Sequence, residues 1–258
     1  MLLTIDVGNS NIVWGLFDGP NLKGPWRLVT DTGLTAKDYG TLLTTQCKLA
    51  EVAPEQITGA IFCSVVPLLT PVIAKTIRSC FHRKPLIVDD TMDSGLTLRY
   101  TDPQQLGSDR LANAAGAYDR YKAALIIVDL GTATTFCAVT DSGEYLGGAI
   151  APGLGIAAEA LFARTAQLPR VELTAPDSAI GQDTASSIRS GLVFGYVGLV
   201  DAMVRRIEAE LGQDALVIAT GGLASVVAPE CRSIHKVRPN LTLEGMETLY
   251  RRSHKSRG

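Results

Sequence analysis

The sequence predicts an α/β chain made of two duplicated halves with mixed sheets, and three observations carry that expectation. Apolar runs of strand length alternate with segments of helical spacing through the 258 residues. A phrase of apolar strand, aspartate, short polar turn and second strand occurs twice, as "LLTIDVGNSNIVWGLF" and "LIIVDLGTATTFCAV". A further buried strand, "ALVIATGG", ends in a glycine pair.

In chain order, strands are expected near 2–7, 12–17, 59–66 and 86–88, with helices over 35–51 and 70–82 between them. Leu111, Ala114, Ala115 and Tyr118 recur at helical spacing after Asp102-Pro103, so a helix begins near Ser108 and runs to about 122. Three strands with short turns follow inside 124–150, then a long helix over 186–211 and the strand that ends at Gly221-Gly222. Asp6 and Asp129 hold the same place in the two phrases. The halves are accordingly drawn as residues 1–115 and 116–258.

With 46% hydrophobic residues the chain can bury a substantial core without metal or disulfide support. A formal charge of −2, evenly spread, argues against a nucleic-acid face or a polybasic membrane patch. The closing "YRRSHKSRG" reads as a frayed terminus. Cys47, Cys63, Cys80, Cys137 and Cys231 are scattered and odd in number, which fits a reducing cytoplasm better than a zinc site or disulfide framework. No charged leader is evident, and no run is expected to reach the ~20 apolar residues of a membrane span.

The turns suggest chemistry. Glycine allows close backbone approach, while Asn9, Ser10, Asn11, Thr132 and Thr134 supply donors suited to phosphate oxygens. An aspartate at the strand end is placed to hold the hydrated metal of a nucleotide. A single D-x-G is an ordinary turn; its repetition favours the nucleotide. Other phosphate sites do not fit: no G-x-x-x-x-G-K-[ST] occurs, and "GLGIAA" at 153–158 lacks a βαβ unit, with Pro152 expected to break its entry. His82, His235 and His254 sit in no hydrolase context. Asp109 and Arg110 fall in a first helical turn, where an acid complements the dipole and a cation opposes it, so an anionic ligand near Arg110 is expected.

Taken with "SVVP" at 64–67, "LGSDR" at 106–110, "GGAIAPG" at 147–153, "LPRV" at 168–171 and "AIGQDTASSI" at 179–188, these motifs resemble type III pantothenate kinases over nearly the whole chain. That family is a branch of the actin-like, ribonuclease H-like kinases and chaperones. The resemblance implies two such halves with an ATP cleft between them, and phosphorylation of pantothenate as the first step toward coenzyme A. It implies that Asp6, Val7, Gly8, Asn9, Ser10, Asn11, Ile12 and Val13 form the phosphate loop, with Asp6 serving Mg2+, directly or through water. It gives Thr132 a contact to ATP and Asp129 a monovalent cation, K+ or NH4+. It lines the pantothenate pocket with Tyr100, Gly107, Ser108, Asp109 and Arg110, makes Asp109 the proton acceptor, and brings Thr184 to the substrate in a cytoplasmic homodimer. Ser108 departs from the alanine more usual there. A helix-start carboxylate is expected to have a lowered pKa. Gly191, Gly195 and Gly198 in the long helix imply close packing, within the chain or across a dimer.

Overall fold

The computed structural model describes residues 1–165 and 167–255; residues 256–258 of the basic tail lie outside them. Two compact units emerge, one of residues 1–95, 101–119 and 241–258, the other of 96–100 and 120–240. The first unit thus takes its boundary near 119 and regains the chain at 241.

Unit 1 is built on β1 (Leu2–Val7), β2 (Asn11–Asp18), β3 (Asn21–Val29), α1 (Ala36–Leu49), β4 (Gly59–Ser64), α2 (Thr70–Phe81) and β5 (Leu86–Ile87). Its sheet runs β3-β2-β1-β4-β5, with β1 antiparallel to β2 and parallel to β4. Leu3, Ile5, Val7 and Phe62 meet Tyr39 and Leu43 of α1 and Ile73 and Ile77 of α2 in one core. Thr35 starts α1 with a capping box that engages Asp38.

Unit 2 adds the short β6 (Thr97–Leu98) and, after α3 (Ser108–Tyr121) of unit 1, comprises β7 (Leu125–Leu130), β8 (Ala133–Val139), β9 (Glu144–Pro152), α4 (Leu154–Ala163), α5 (Thr184–Leu211), β10 (Leu216–Thr220), α6 (Ala224–Val227) and β11 (Lys236–Val237). Its sheet runs β11-β10-β7-β8-β9-β6. Apart from the edge strand β6, this is the order of unit 1 again: three antiparallel strands, then two parallel additions beside the first. The duplication expected from the two phrases is therefore a duplication of topology.

β9 continues through Pro152, which pairs with Ala133, and α4 follows at Leu154. Pro152 does not break that entry, contrary to the expectation. The long helix α5 begins at Thr184, two residues earlier than expected, behind an Asp183 cap. It also corrects the expectation about membrane-length segments: by length and composition it could cross a membrane, with a mean hydropathy of 1.3 and 33% of that window buried. Its Leu192, Val193, Tyr196, Val200 and Val204 are buried, and most of them join β7 and β10 in the core of unit 2.

The last helix, α7 (Leu241–Lys255), packs on β1, β2 and β4 of unit 1. Its crossing with α3 is made backbone to backbone. A Cβ on Gly116 would stand 2.7 Å from the Gly245 Cα, and one on Gly245 would collide with the Ala112 carbonyl. Neither position has room for a side chain.

Candidate active site

Strand register explains how unit 1 gathers its polar residues. Asp6 lies at the end of β1 opposite Val13 on β2 and Cys63 on β4. The Cys63 thiol donates to the Asp6 Oδ1 at 3.2 Å. Burial pushes the thiol well up, and the charges of Asp6 and then Asp109 push it further, so Cys63 is a neutral donor close to two acids. Sequence reasoning passed over this cysteine. Aligning "AIFCSVVP" with "LVIATGG" would have found it, because Thr220 takes the same place opposite Asp129.

Residues Gly8 to Asn11 close the β1–β2 turn, with the Gly8 amide donating to the Asn11 carbonyl at 3.0 Å. The Thr30 hydroxyl donates to the Gly8 carbonyl at 2.7 Å and fixes the turn from the side. Asn9 and Ser10 are exposed there, while Val7 and Ile12 are buried and anchor it. Val13 follows on β2.

From the end of β4 the network continues into α3. The Ser64 amide donates to the Ser108 Oγ at 3.1 Å, and the Ser108 hydroxyl reaches back to the Ser64 carbonyl at 3.3 Å. Ser108 thus ties the start of α3 to β4. Gly107 accepts the Leu111 amide and begins the helix; a Cβ there would stand 2.6 Å from the Asp109 Oδ1. Asp109 accepts the Arg110 amide at 2.8 Å. Burial nevertheless holds its carboxyl above the usual value, outweighing that amide, the Arg110 charge and its own amide. The expected lowering is overturned, because desolvation of the charge exceeds what the helix end returns. Arg110 is buried in the first turn of α3.

Unit 2 repeats the turn in shortened form. Asp129 ends β7 opposite Thr135 and Thr220, and Gly131 donates to the Ala133 carbonyl at 3.1 Å across Thr132. Gly221, at φ +92°, crowds Asp129: a Cβ there would stand 2.5 Å from its Oδ1. The Thr132 carbonyl accepts the Gly153 amide at 3.1 Å, joining the turn to the start of α4. The Thr134 hydroxyl, by contrast, is buried with no partner among the described residues.

Two further expected residues also lie in unit 2. Tyr100 follows β6 and meets the Tyr145 ring edge-on, with centroids 6.1 Å apart. Thr184 is exposed at the first position of α5 and borders a pocket of about 660 Å³ together with Leu161, Leu168, Gly181 and Ile188. Tyr100, Thr132 and Thr184 therefore sit at three different element ends of the same unit.

The residues suit the ions that a phosphoryl transfer needs. Among the described residues no group of three or more His, Cys, Asp or Glu could hold a metal alone. Asp6 offers hard carboxylate oxygen at a strand end, the donor set of a magnesium ion that keeps waters and binds phosphate. Asp129 offers oxygen beside a bare glycine cradle at Gly131 and Gly221.

Comparison with known proteins bears on the family and the fold. Residues 2–206 match the family model for type III pantothenate kinase. A type III pantothenate kinase of Moorella thermoacetica is 45% identical over 253 residues, covering 98% of this chain and 100% of that one. Among solved structures, a putative Baf family transcriptional activator from Campylobacter jejuni superposes with a TM-score of 0.60 at 18% identity, covering 98% of this chain and 99% of the other. An inorganic polyphosphate/ATP-glucomannokinase from Arthrobacter sp. strain KM superposes with a TM-score of 0.52 at 18% identity, covering 98% of each chain. At those identities the two structures speak for the fold alone.

Proposed function

The chain belongs to the type III pantothenate kinase family, and from that premise we propose how its residues share the reaction. It phosphorylates pantothenate with ATP to 4'-phosphopantothenate, the first step of coenzyme A biosynthesis. In our reading Asp6 to Val13 cradle the phosphates of ATP, Asp6 serves Mg2+, Thr132 touches ATP, and Asp129 holds K+ or NH4+. Bound cations supply charge neutralisation to a loose phosphoryl-transfer transition state.

Tyr100, Gly107, Ser108, Asp109, Arg110 and Thr184 hold pantothenate, and Asp109 receives the proton of its primary hydroxyl. What supports that role above all is the raised pKa of Asp109: a partly desolvated carboxylate is a better base than a helix-start aspartate in water. Arg110, beside it in the first turn, supplies the positive charge that an anionic substrate needs. The Ser108 bridge to Ser64 fixes the helix start that carries both.

The same reading includes a homodimer in the cytoplasm. Its support is that, among the described residues, Gly191, Gly195 and Gly198 have nothing outside their own helix backbone within 4 Å of where a side chain would stand, which leaves the packing they permit open to a second copy. Ile156, Leu161 and Phe162 of α4 and Ile180 are exposed as well. None of the five cysteines is in a disulfide, as a reducing compartment allows.

The test is ADP release from ATP and Mg2+, with and without pantothenate, in potassium and in sodium buffer. Release that needs pantothenate and potassium is expected. Release indifferent to pantothenate would send the acceptor assignment back, and equal rates in sodium would remove the cation from Asp129. A monomeric mass by light scattering in an active preparation would end the dimer reading.

A further inference from the structure

Residues 96–100 belong to unit 2 although unit 1 holds the chain on both sides of them, and β9 pairs with them there. The Arg99 amide donates to the Tyr145 carbonyl at 2.9 Å, and the Arg99 guanidinium pairs with Glu144 at 2.6 Å. β6 and β9 are parallel, with Leu98 opposite Tyr145. The backbone that carries Tyr100 is thus a sheet edge.

The Tyr100 ring is set by two residues of that same strand. Tyr145, fully buried, presents its ring at 62° to that of Tyr100, and its hydroxyl donates to the Cys137 Sγ at 3.3 Å on β8. Gly147, at φ +118°, passes along the ring edge: a Cβ there would stand 3.4 Å from the Tyr100 Cε2. A side chain at 147 would be strained by its backbone and crowd the ring.

We propose that Tyr145, locked by Cys137 and completed by the bare Gly147, is the positioning residue that orients Tyr100 for the acceptor substrate. This rests on the reading of Tyr100 as a pantothenate contact and deepens it. An aromatic edge resists tilting of the ring it meets, so the substrate finds Tyr100 already oriented and spends less of its binding on ordering a side chain. Tyr145 itself touches no substrate in this account.

The experiment is steady-state kinetics of Tyr145→Leu, Tyr145→Phe, Tyr100→Leu and the Tyr100→Leu/Tyr145→Leu pair, with circular dichroism melts alongside. Tyr145→Leu is expected to raise KM for pantothenate roughly tenfold, the order of an aromatic pair, while KM for ATP stays within about twofold. Tyr145→Phe, which keeps the ring but gives up the bond to Cys137, is expected to bring KM back to within about threefold of the parent. In the double variant the second substitution is expected to add nothing, because its target is gone. An unchanged pantothenate KM in Tyr145→Leu, with a raised one in Tyr100→Leu, overturns the proposal; so do additive effects or an equal rise in both KM values. If Tyr100→Leu also leaves KM unchanged, the assignment of Tyr100 itself falls, and this inference with it. Should Tyr145→Leu fail to fold, Tyr145→Met, unbranched and able to fill the vacated space by changing rotamer, gives the same reading.

Discussion

Asp109 in unit 1 and Asp201 in unit 2 are aspartates withdrawn from water that titrate in opposite directions. Asp201, on α5, accepts the Ser233 hydroxyl at 2.7 Å and the amides of Ser233 and Arg232 at 3.0 and 3.3 Å. Burial acts to raise its carboxyl, but those donors and the Arg205 charge together bring it below the usual value. Around Asp109 the balance falls the other way, since burial outweighs the Arg110 amide and charge. The difference lies on both sides of that balance: Asp109 is the more deeply desolvated and has two amide donors, whereas Asp201 is more lightly desolvated and has three donors.

The largest expected effect breaks the comparison at its reactive end. Asp109→Asn should lower kcat by about 10²-fold or more, measured as ADP release. The same variant should be at least as stable as the parent at neutral pH. With the folded pKa above the ordinary 3.8, the native state holds the proton more tightly than the unfolded chain. Its contribution to stability is therefore highest in acid and falls as pH rises from 3.8 through the folded value. Parent and variant melts should separate as pH rises through that interval, and a gap that widens toward acid would contradict the raised pKa.

At the other end, Asp201→Ala should cost roughly 1–3 kcal/mol, the loss of hydrogen bonds from part-buried donors to a charged acceptor, read from urea titration. Turnover per folded molecule should survive. Here the sign reverses: Asp201 stabilises in its ionised form above 3.8, and that contribution is lost as pH falls through its lower folded value. Loss of activity out of proportion to loss of fold would place Asp201 in the chemistry and dissolve the contrast.

The smallest effect asks whether the rule extends to a neutral group. Thr134 is buried in unit 2 with its hydroxyl unpartnered among the described residues. Thr134→Val should be neutral or stabilise by up to about 1 kcal/mol. A clear loss by the same titration would mean that an ordered water satisfies the hydroxyl.

Much of this frame was legible in the sequence. Asp6 and Asp129 stood at equivalent places because alternation and turn residues are local signals, and the repeated sheet order follows from them. The start of α3 at Ser108 was legible for the same reason. What escaped depends on partners distant along the chain. The helix dipole was visible at Asp109, whereas the burial that outweighs it comes from packing. Cys63 looked like one of several scattered cysteines until β1 and β4 paired in register. The Pro152 misreading has a local cause: a proline on the last residue of a strand lacks only a donor that the strand no longer needs.

The place of α7 in unit 1 bears on how the chain is made. A ribosome releases β1 and β4 early and the helix that covers them only after the whole of residues 120–240. At ordinary elongation rates that delay is on the order of ten seconds. Through it, nascent unit 1 presents an uncovered sheet face to the cell while unit 2 is still being made, and unit 2 has its full sequence just before α7 emerges. Unit 2 is then the half able to fold first, and the glycine crossing at Gly116 and Gly245 closes late, as the latch on a half that began first and finishes last.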